Sequence, residues 1–302
     1  MAIEVHYHVR SISLPSRLHP SLPKIEKELK RLKTWDASSQ SQASTDTTSS
    51  LQTVAIKASL AGLVELYNCV HELIGSPQTQ QALRRHEGKH VEKPLDMSIG
   101  LLDICGSTRE LLLLMKEHVL DLQSTLRRKG LDSSINSQIC AYICFRKKAR
   151  KDISKKLKAL KTMEKNNSKS YPPLDVDHHL LMVINVLSEL STITISFFRK
   201  LLLFMCAPVF KKNTSGWSLF SKMVSTESDK ETRIINEMGD VHVILCSFHK
   251  RFRKNEAKFD VQIVKRRLGE LEVNIRELEV GLDYLFRCLI QQRVSLLNLL
   301  TP

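Results

Sequence analysis

The chain has 302 residues, 42% of them hydrophobic and 26% charged, and 46 Lys and Arg against 32 Asp and Glu give a formal net charge of +14. That length and balance allow a sizeable buried core and exclude a wholly disordered chain, and aromatics at only 6% argue against an aromatic-rich β-sandwich. The positive balance favours acidic partners (nucleic acid, anionic lipid headgroups or an acidic protein face) without choosing among them.

Residues 1–23 carry Pro15, Pro20 and Pro23 among Ser, Arg and His, and proline both removes a backbone donor and disfavours helix in the residue before it. An extended basic arm is expected, with no apolar stretch of the kind a secretory leader needs. Within it, Arg10-Ser11-Ile12-Ser13-Leu14-Pro15 fits the pattern read by 14-3-3 adaptors once Ser13 is phosphorylated: arginines pair the phosphate, and the proline turns the chain out of the groove. A short basic helix is predicted over residues 24–35, with Ile25, Leu29 and Leu32 on one face. Ser38–Ser50 is almost all Ser, Thr, Gln, Ala and Asp, so it reads as a disordered linker. Residues 1–50 are thus expected to form a flexible arm, short helix and linker, and residues 51–302 a single helical domain.

From Leu51, apolar residues recur at three- and four-residue steps through Ile56, Leu60, Leu63, Tyr67, Val70 and Ile74, and Gly75-Ser76-Pro77 ends this first long helix. A second pattern follows Pro94 and runs to Lys129, with Gly130 as its stop. A third spans about Ser134 to Lys165 on an apolar stripe of Tyr142, Phe145, Ala149, Ile153, Leu157 and Leu160; Tyr171-Pro172-Pro173 breaks the chain after it. The fourth, Asp175 to Met205, is apolar on most sides. Its core suggests a membrane span, but Glu189 lies near the middle, where a charge costs about 2.5–3.5 kcal/mol on the insertion scale, so a central bundle helix is expected instead. Two more helices are predicted, about Glu231–Glu256 and Lys258–Leu299. The last carries a heptad seam of Val261, Val264, Leu268, Leu271, Ile275, Leu278, Leu282, Leu285, Leu289, Gln292, Leu296 and Leu299. Such a seam either packs within its own bundle or drives self-association; apolar residues on the opposite face (Phe286, Cys288, Ile290) favour the bundle. No strand-period alternation is sustained anywhere. The fold class is all-α: an elongated multi-helix bundle with a long heptad-patterned C-terminal helix and a disordered N-terminal arm.

Chemistry-bearing motifs are few. His86-Glu87-Gly88-Lys89-His90 matches H-E-x-x-H, in which a helix sets two imidazoles on one face for zinc with a glutamate as general base. Gly88 weakens the helix that geometry needs, and Arg84 and Arg85 place positive charge beside the dication, so a solvated loop is the better reading and a zinc hydrolase the lesser alternative. Cys140 and Cys144 sit four apart with no nearby pair to complete a tetrahedral metal site. The seven cysteines are odd in number and mostly lie inside apolar helical patterns, which points to reduced thiols inside the cell, in the cytoplasm, with nuclear presence or peripheral membrane association left open. No phosphate loop, dinucleotide fingerprint or nucleophile elbow is present, so no cofactor and no catalysis are expected. Residues 140–169 hold eleven Lys and Arg against Asp152 and Glu164. Lys147, Lys151, Lys155 and Lys158 line one helix face, a candidate surface for an acidic protein or an anionic membrane. The absence of aromatic interleaving gives no specific nucleic-acid signal.

Several strings resemble the plant-specific BYPASS-related family of unknown biochemical function. They are His8-Val9-Arg10-Ser11 with Leu14-Pro15-Ser16-Arg17; Leu66-Tyr67 with Thr79-Gln80-Gln81-Ala82-Leu83; Leu101-Leu102-Asp103-Ile104-Cys105-Gly106; Arg146-Lys147-Lys148; and Leu285-Phe286-Arg287 with Arg293-Val294-Ser295-Leu296-Leu297-Asn298. The resemblance implies an all-helical protein tied to root and shoot development, with no catalytic residues to carry over. A non-catalytic scaffold or regulator is the resulting expectation.

Overall fold

The structure is a computed structural model, and it describes residues 19–41, 49–85, 91–128, 133–168, 178–206, 236–252 and 261–299. These residues form α1 (Leu22–Ser41), α2 (Ser49–Gly75), α3 (Pro77–Arg85), α4 (Glu92–Arg128), α5 (Ser133–Ser168), α6 (His178–Cys206), α7 (Glu237–Phe252) and α8 (Val261–Asn298), with no strand among them. The three longest helices have 36 to 38 residues and so extend about 55 Å each at 1.5 Å per residue, which makes the bundle elongated.

The heptad seam explains where α8 sits. Val264, Leu268, Leu271, Ile275, Leu278, Leu282, Leu285, Leu289, Gln292 and Leu296 are all buried, inserted between α2 and α4 of the same chain. Polar ties on either side fix direction. Lys57 Nζ donates to Asn274 Oδ1 at 2.7 Å, and Gln291 Nε2 meets His71 Nε2 at 3.0 Å, so α8 runs parallel to α2. Lys116 pairs with Glu279 at 2.5 Å, and Arg293 Nη1 donates to the Leu95 carbonyl at 2.7 Å, so α8 runs antiparallel to α4. Gly281 lies where α2 comes closest: a Cβ there would stand 2.5 Å from Leu60 Cδ2.

The segment expected to be central is central. Leu180, Val183, Leu190, Phe198, Leu201, Leu202 and Met205 of α6 are buried among α1, α2, α4 and α5. Residues 52–75 and α6 are each long and apolar enough to cross a membrane by length and composition, and in this fold 56% of each hydropathic window is buried against other helices. Glu189 lies at the surface, 2.8 Å from Lys33. The basic helix read over residues 24–35 continues to Ser41, so the first four residues read as linker are helical, and α1 buries Ile25, Leu29 and Leu32 in the common core. Lys200 Nζ stands 4.1 Å over the Trp35 ring and 2.7 Å from Asp36, holding α1 to α6.

α3 is an element the sequence reading does not include. Pro77, taken as a terminator, instead opens it. Ser76 caps it through its carbonyl to Gln80 N (3.0 Å) and its hydroxyl to Thr79 N (3.3 Å), and proline suits the first helical turn because its missing N–H has no intrahelical partner to lose. Pro94 acts in the same way, lying inside the first turn of α4 rather than ahead of it. The loop read over residues 208–216 and the linker residues 42–48 lie outside the described residues.

Candidate interaction site on α5 and at the end of α6

α5 buries Ile135, Ile139, Tyr142, Arg146, Ala149, Ile153, Leu157 and Leu160, in steps of three and four. The opposite side of the helix therefore faces water. Lys147, Lys151, Lys155 and Lys158 are all exposed there, as the sequence reading places them. Lys155 Nζ lies 3.5 Å from Asp152 Oδ1, an exposed pair of little energetic weight. Lys147, Lys151 and Lys158 have no carboxylate partner among the described residues. The result is a cationic ridge on a helix whose other side is locked into the core.

Arg146, one of the eleven Lys and Arg of residues 140–169, does not join the exposed ridge. It is only 1% exposed, one turn from buried Tyr142, and its Nη1 donates to the Met205 carbonyl at 2.7 Å. Arg150, half-buried on the next turn, donates from Nε to the Cys206 carbonyl at 3.2 Å. From the other side, Asn236 Nδ2 donates to the Phe204 carbonyl at 2.6 Å, while its Oδ1 accepts from Gly239 N at 2.9 Å and so caps the start of α7. The last three carbonyls of α6, which no intrahelical N–H can reach, are thus each taken by a side chain, and the two guanidiniums sit at the negative end of the helix dipole.

That end of α6 is cationic and dry. His242 of α7 is buried, its ring 6.1 Å from that of Tyr142. Burial, then the charges of Arg146 and Arg150, push the imidazole down to about 3, so it is neutral at physiological pH. Burial raises the Tyr142 hydroxyl and the Cys206 and Cys246 thiols, against the opposing pull of the arginines. Among the described residues, no Asp or Glu stands among the charges acting on Tyr142, Cys206, His242 or Cys246, whereas Lys147 and Lys250 add positive charge around Cys246. The sequence reading missed this cluster. The readable signal was register: Arg146 falls on the buried stripe between Tyr142 and Ala149.

The remaining candidates stand as follows. All seven cysteines are free thiols; Cys144 is exposed, and Cys140 Sγ lies 3.7 Å from His249 Nδ1. Among the described residues, no three His, Cys, Asp or Glu side chains converge as a metal would need. His86, Glu87 and His90 lie outside the described residues, as do Arg10, Ser13 and Pro15 of the adaptor motif.

No curated protein and no solved structure matches the chain. A family model described as Protein BPS1 matches residues 59–299, a span that begins within α2 and takes in the lysine ridge, the α6 cap and the whole α8 seam. With more than half of its length matched in this way, the chain belongs to the BPS1 family, the one its sequence strings resemble.

Proposed function

We propose that the protein is a non-catalytic helical scaffold or regulator of plant root and shoot development, acting inside the cell, and that it engages an acidic partner protein through the ridge of Lys147, Lys151, Lys155 and Lys158. Membership of the BPS1 family supports the developmental part of this reading. The observation that carries the contact surface is the ridge itself: four lysines exposed on one face of a helix anchored by eight buried positions on the other. A rigid backbone presents those charges in fixed register, which favours recognition of a complementary surface over diffuse attraction.

The test is proximity labelling in plant cells, comparing the natural chain with a variant carrying Lys147→Glu, Lys151→Glu, Lys155→Glu and Lys158→Glu. Because all four side chains are exposed, the variant is expected to fold. It should lose one defined set of neighbouring proteins while keeping the rest, and the contact should weaken with salt. Loss of a membrane compartment instead would identify an anionic lipid surface as the partner. An unchanged set of neighbours and an unchanged location would end the ridge hypothesis.

A further inference from the structure

α4 carries two seams. The buried one, which includes Leu101, Leu112, Met115, Val119 and Leu126, meets α5, α6 and α8. The other faces outward. Ile99, Gly106, Leu113 and Leu120 recur every seven residues, and Asp96, Asp103, Glu110 and Glu117 recur every seven residues, three positions ahead of them. Taken together the two sets alternate steps of three and four along roughly 36 Å of helix at 1.5 Å per residue. That alternation is the period that keeps one helix in register against another, and a solvated face has no need of it. The carboxylates are exposed, and Ile99, Leu113 and Leu120 are 46%, 46% and 41% exposed. Large apolar side chains aligned in this way, instead of scattered singly, mark an interaction surface.

Charge selects the occupant. Two copies of this face laid together would set carboxylate beside carboxylate, and an anionic membrane would be repelled in the same way. The two Lys and Arg side chains within the span turn aside to α8, where Arg109 pairs with Asp283 and Lys116 with Glu279. In a chain of net charge +14, the outer face of α4 therefore presents negative charge on an apolar stripe. We propose that this face docks a basic amphipathic helix of another protein, packed along α4 as in a coiled coil. Lys or Arg of the partner lies opposite Asp96, Asp103, Glu110 and Glu117, and its apolar side chains pack on Ile99, Leu113 and Leu120. Gly106 marks where its bulkiest side chain enters. Among the described residues an added Cβ there would meet only the edge of the Phe286 ring, at 3.9 Å, so the face has a notch at that level with an aromatic floor. The surface lies on a different helix from the lysine ridge and stands without it.

The probe is a fluorescently labelled synthetic helix of four heptads, with Leu and Lys at its seam positions and uncharged helix formers elsewhere. It is titrated with the full chain and followed by anisotropy. One control peptide has Gln for every Lys; another has the same composition with Leu and Lys scrambled off a common face. The Lys peptide should bind saturably, about tenfold or more tighter than either control, and weaken with salt. The variant Leu113→Ser, Leu120→Ser should lose about tenfold or more, and so should Glu110→Gln, Glu117→Gln. All four side chains are exposed, so both variants are expected to fold, which their thermal melts will show. Replacing one central Leu of the peptide by Trp should tighten binding to the natural chain, and Gly106→Leu should abolish that gain by filling the notch. The variant Lys147→Ala, Lys151→Ala, Lys155→Ala, Lys158→Ala should bind the Lys peptide as well as the natural chain does, which separates this surface from the ridge. Absence of saturable binding, equal binding of the scrambled peptide, or undiminished binding by Leu113→Ser, Leu120→Ser would overturn the proposal and leave the outer face of α4 as a solvated surface.

Discussion

His242 shows how much one buried side chain can impose on the stability of the fold. Its imidazole is pushed down to about 3, against 6.5 in an unstrained setting, by burial first and by the Arg146 and Arg150 charges next. The groups around it are Tyr142, Arg146 and Arg150 from α5 and Cys246 from its own helix, whose Sγ lies 3.5 Å from His242 Nε2. Below pH 6.5 the unfolded chain takes up a proton that the folded chain refuses, so the unfolded state gains. The His242 contribution is therefore complete above about pH 6.5 and is lost as pH falls towards 3, by up to about 1.4 kcal/mol per pH unit. Urea unfolding of the natural chain and of His242→Gln between pH 7 and pH 4 should show this as a steeper loss in the natural chain. Parallel pH profiles would mean that His242 is hydrated and free to protonate. The sequence marked none of this. His242 and Asn236 are far from Arg146 along the chain, and only the packing of α7 against α5 and the end of α6 brings them together.

At the scale of the element, α8 carries two glycines that sequence alone treats alike. Helix propensity predicts that changing either to alanine stabilises the helix by about 0.5–1 kcal/mol. The structure separates them. At Gly269 no atom lies within 4 Å of an added Cβ, so Gly269→Ala should gain that amount. At Gly281 the Cβ would meet Leu60 Cδ2 at 2.5 Å and Cγ at 3.0 Å, and Leu60 is itself buried in the core. Overpacking of this kind costs about 1–3 kcal/mol, which outweighs the propensity gain. Gly281→Ala should therefore lower Tm while Gly269→Ala raises it. A rise in both would mean that α2 and α8 are not in such close contact. The element boundaries were largely legible, because long periodic stripes with proline and glycine punctuation leave few alternatives. α3 was not, because nine residues offer too few repeats to establish a period, and its capping serine and first-turn proline look identical to a turn until the next helix is seen.

The whole molecule decides what the heptad seam is for. An alternation of four and three is the same whether the partner helix belongs to another copy or to the same chain. Here the seam is filled by α2 and α4, and Leu278, Leu282 and Leu285 have no exposed surface left to share. Leu282→Ala should then cost about 2–5 kcal/mol, the usual range for a leucine truncated in a packed core. The loss should be the same at every protein concentration, since no association term enters. A Tm that climbs with concentration in the natural chain would show the seam to be shared between copies.

The sequence by itself determined the helical class, the long core-forming stripes, the basic face of α5 and the family, because each is written in local spacing or in strings of neighbouring residues. Only the tertiary structure decided that α1 packs into the core, that the heptad seam is satisfied internally, and that Arg146 turns inward to cap α6 beside a neutral His242. These are matters of which surfaces meet. Register can mark a guanidinium for the core, but what it meets there is decided only when a second and a third helix close over it, remove its water and leave part of its hydrogen-bonding edge without a partner.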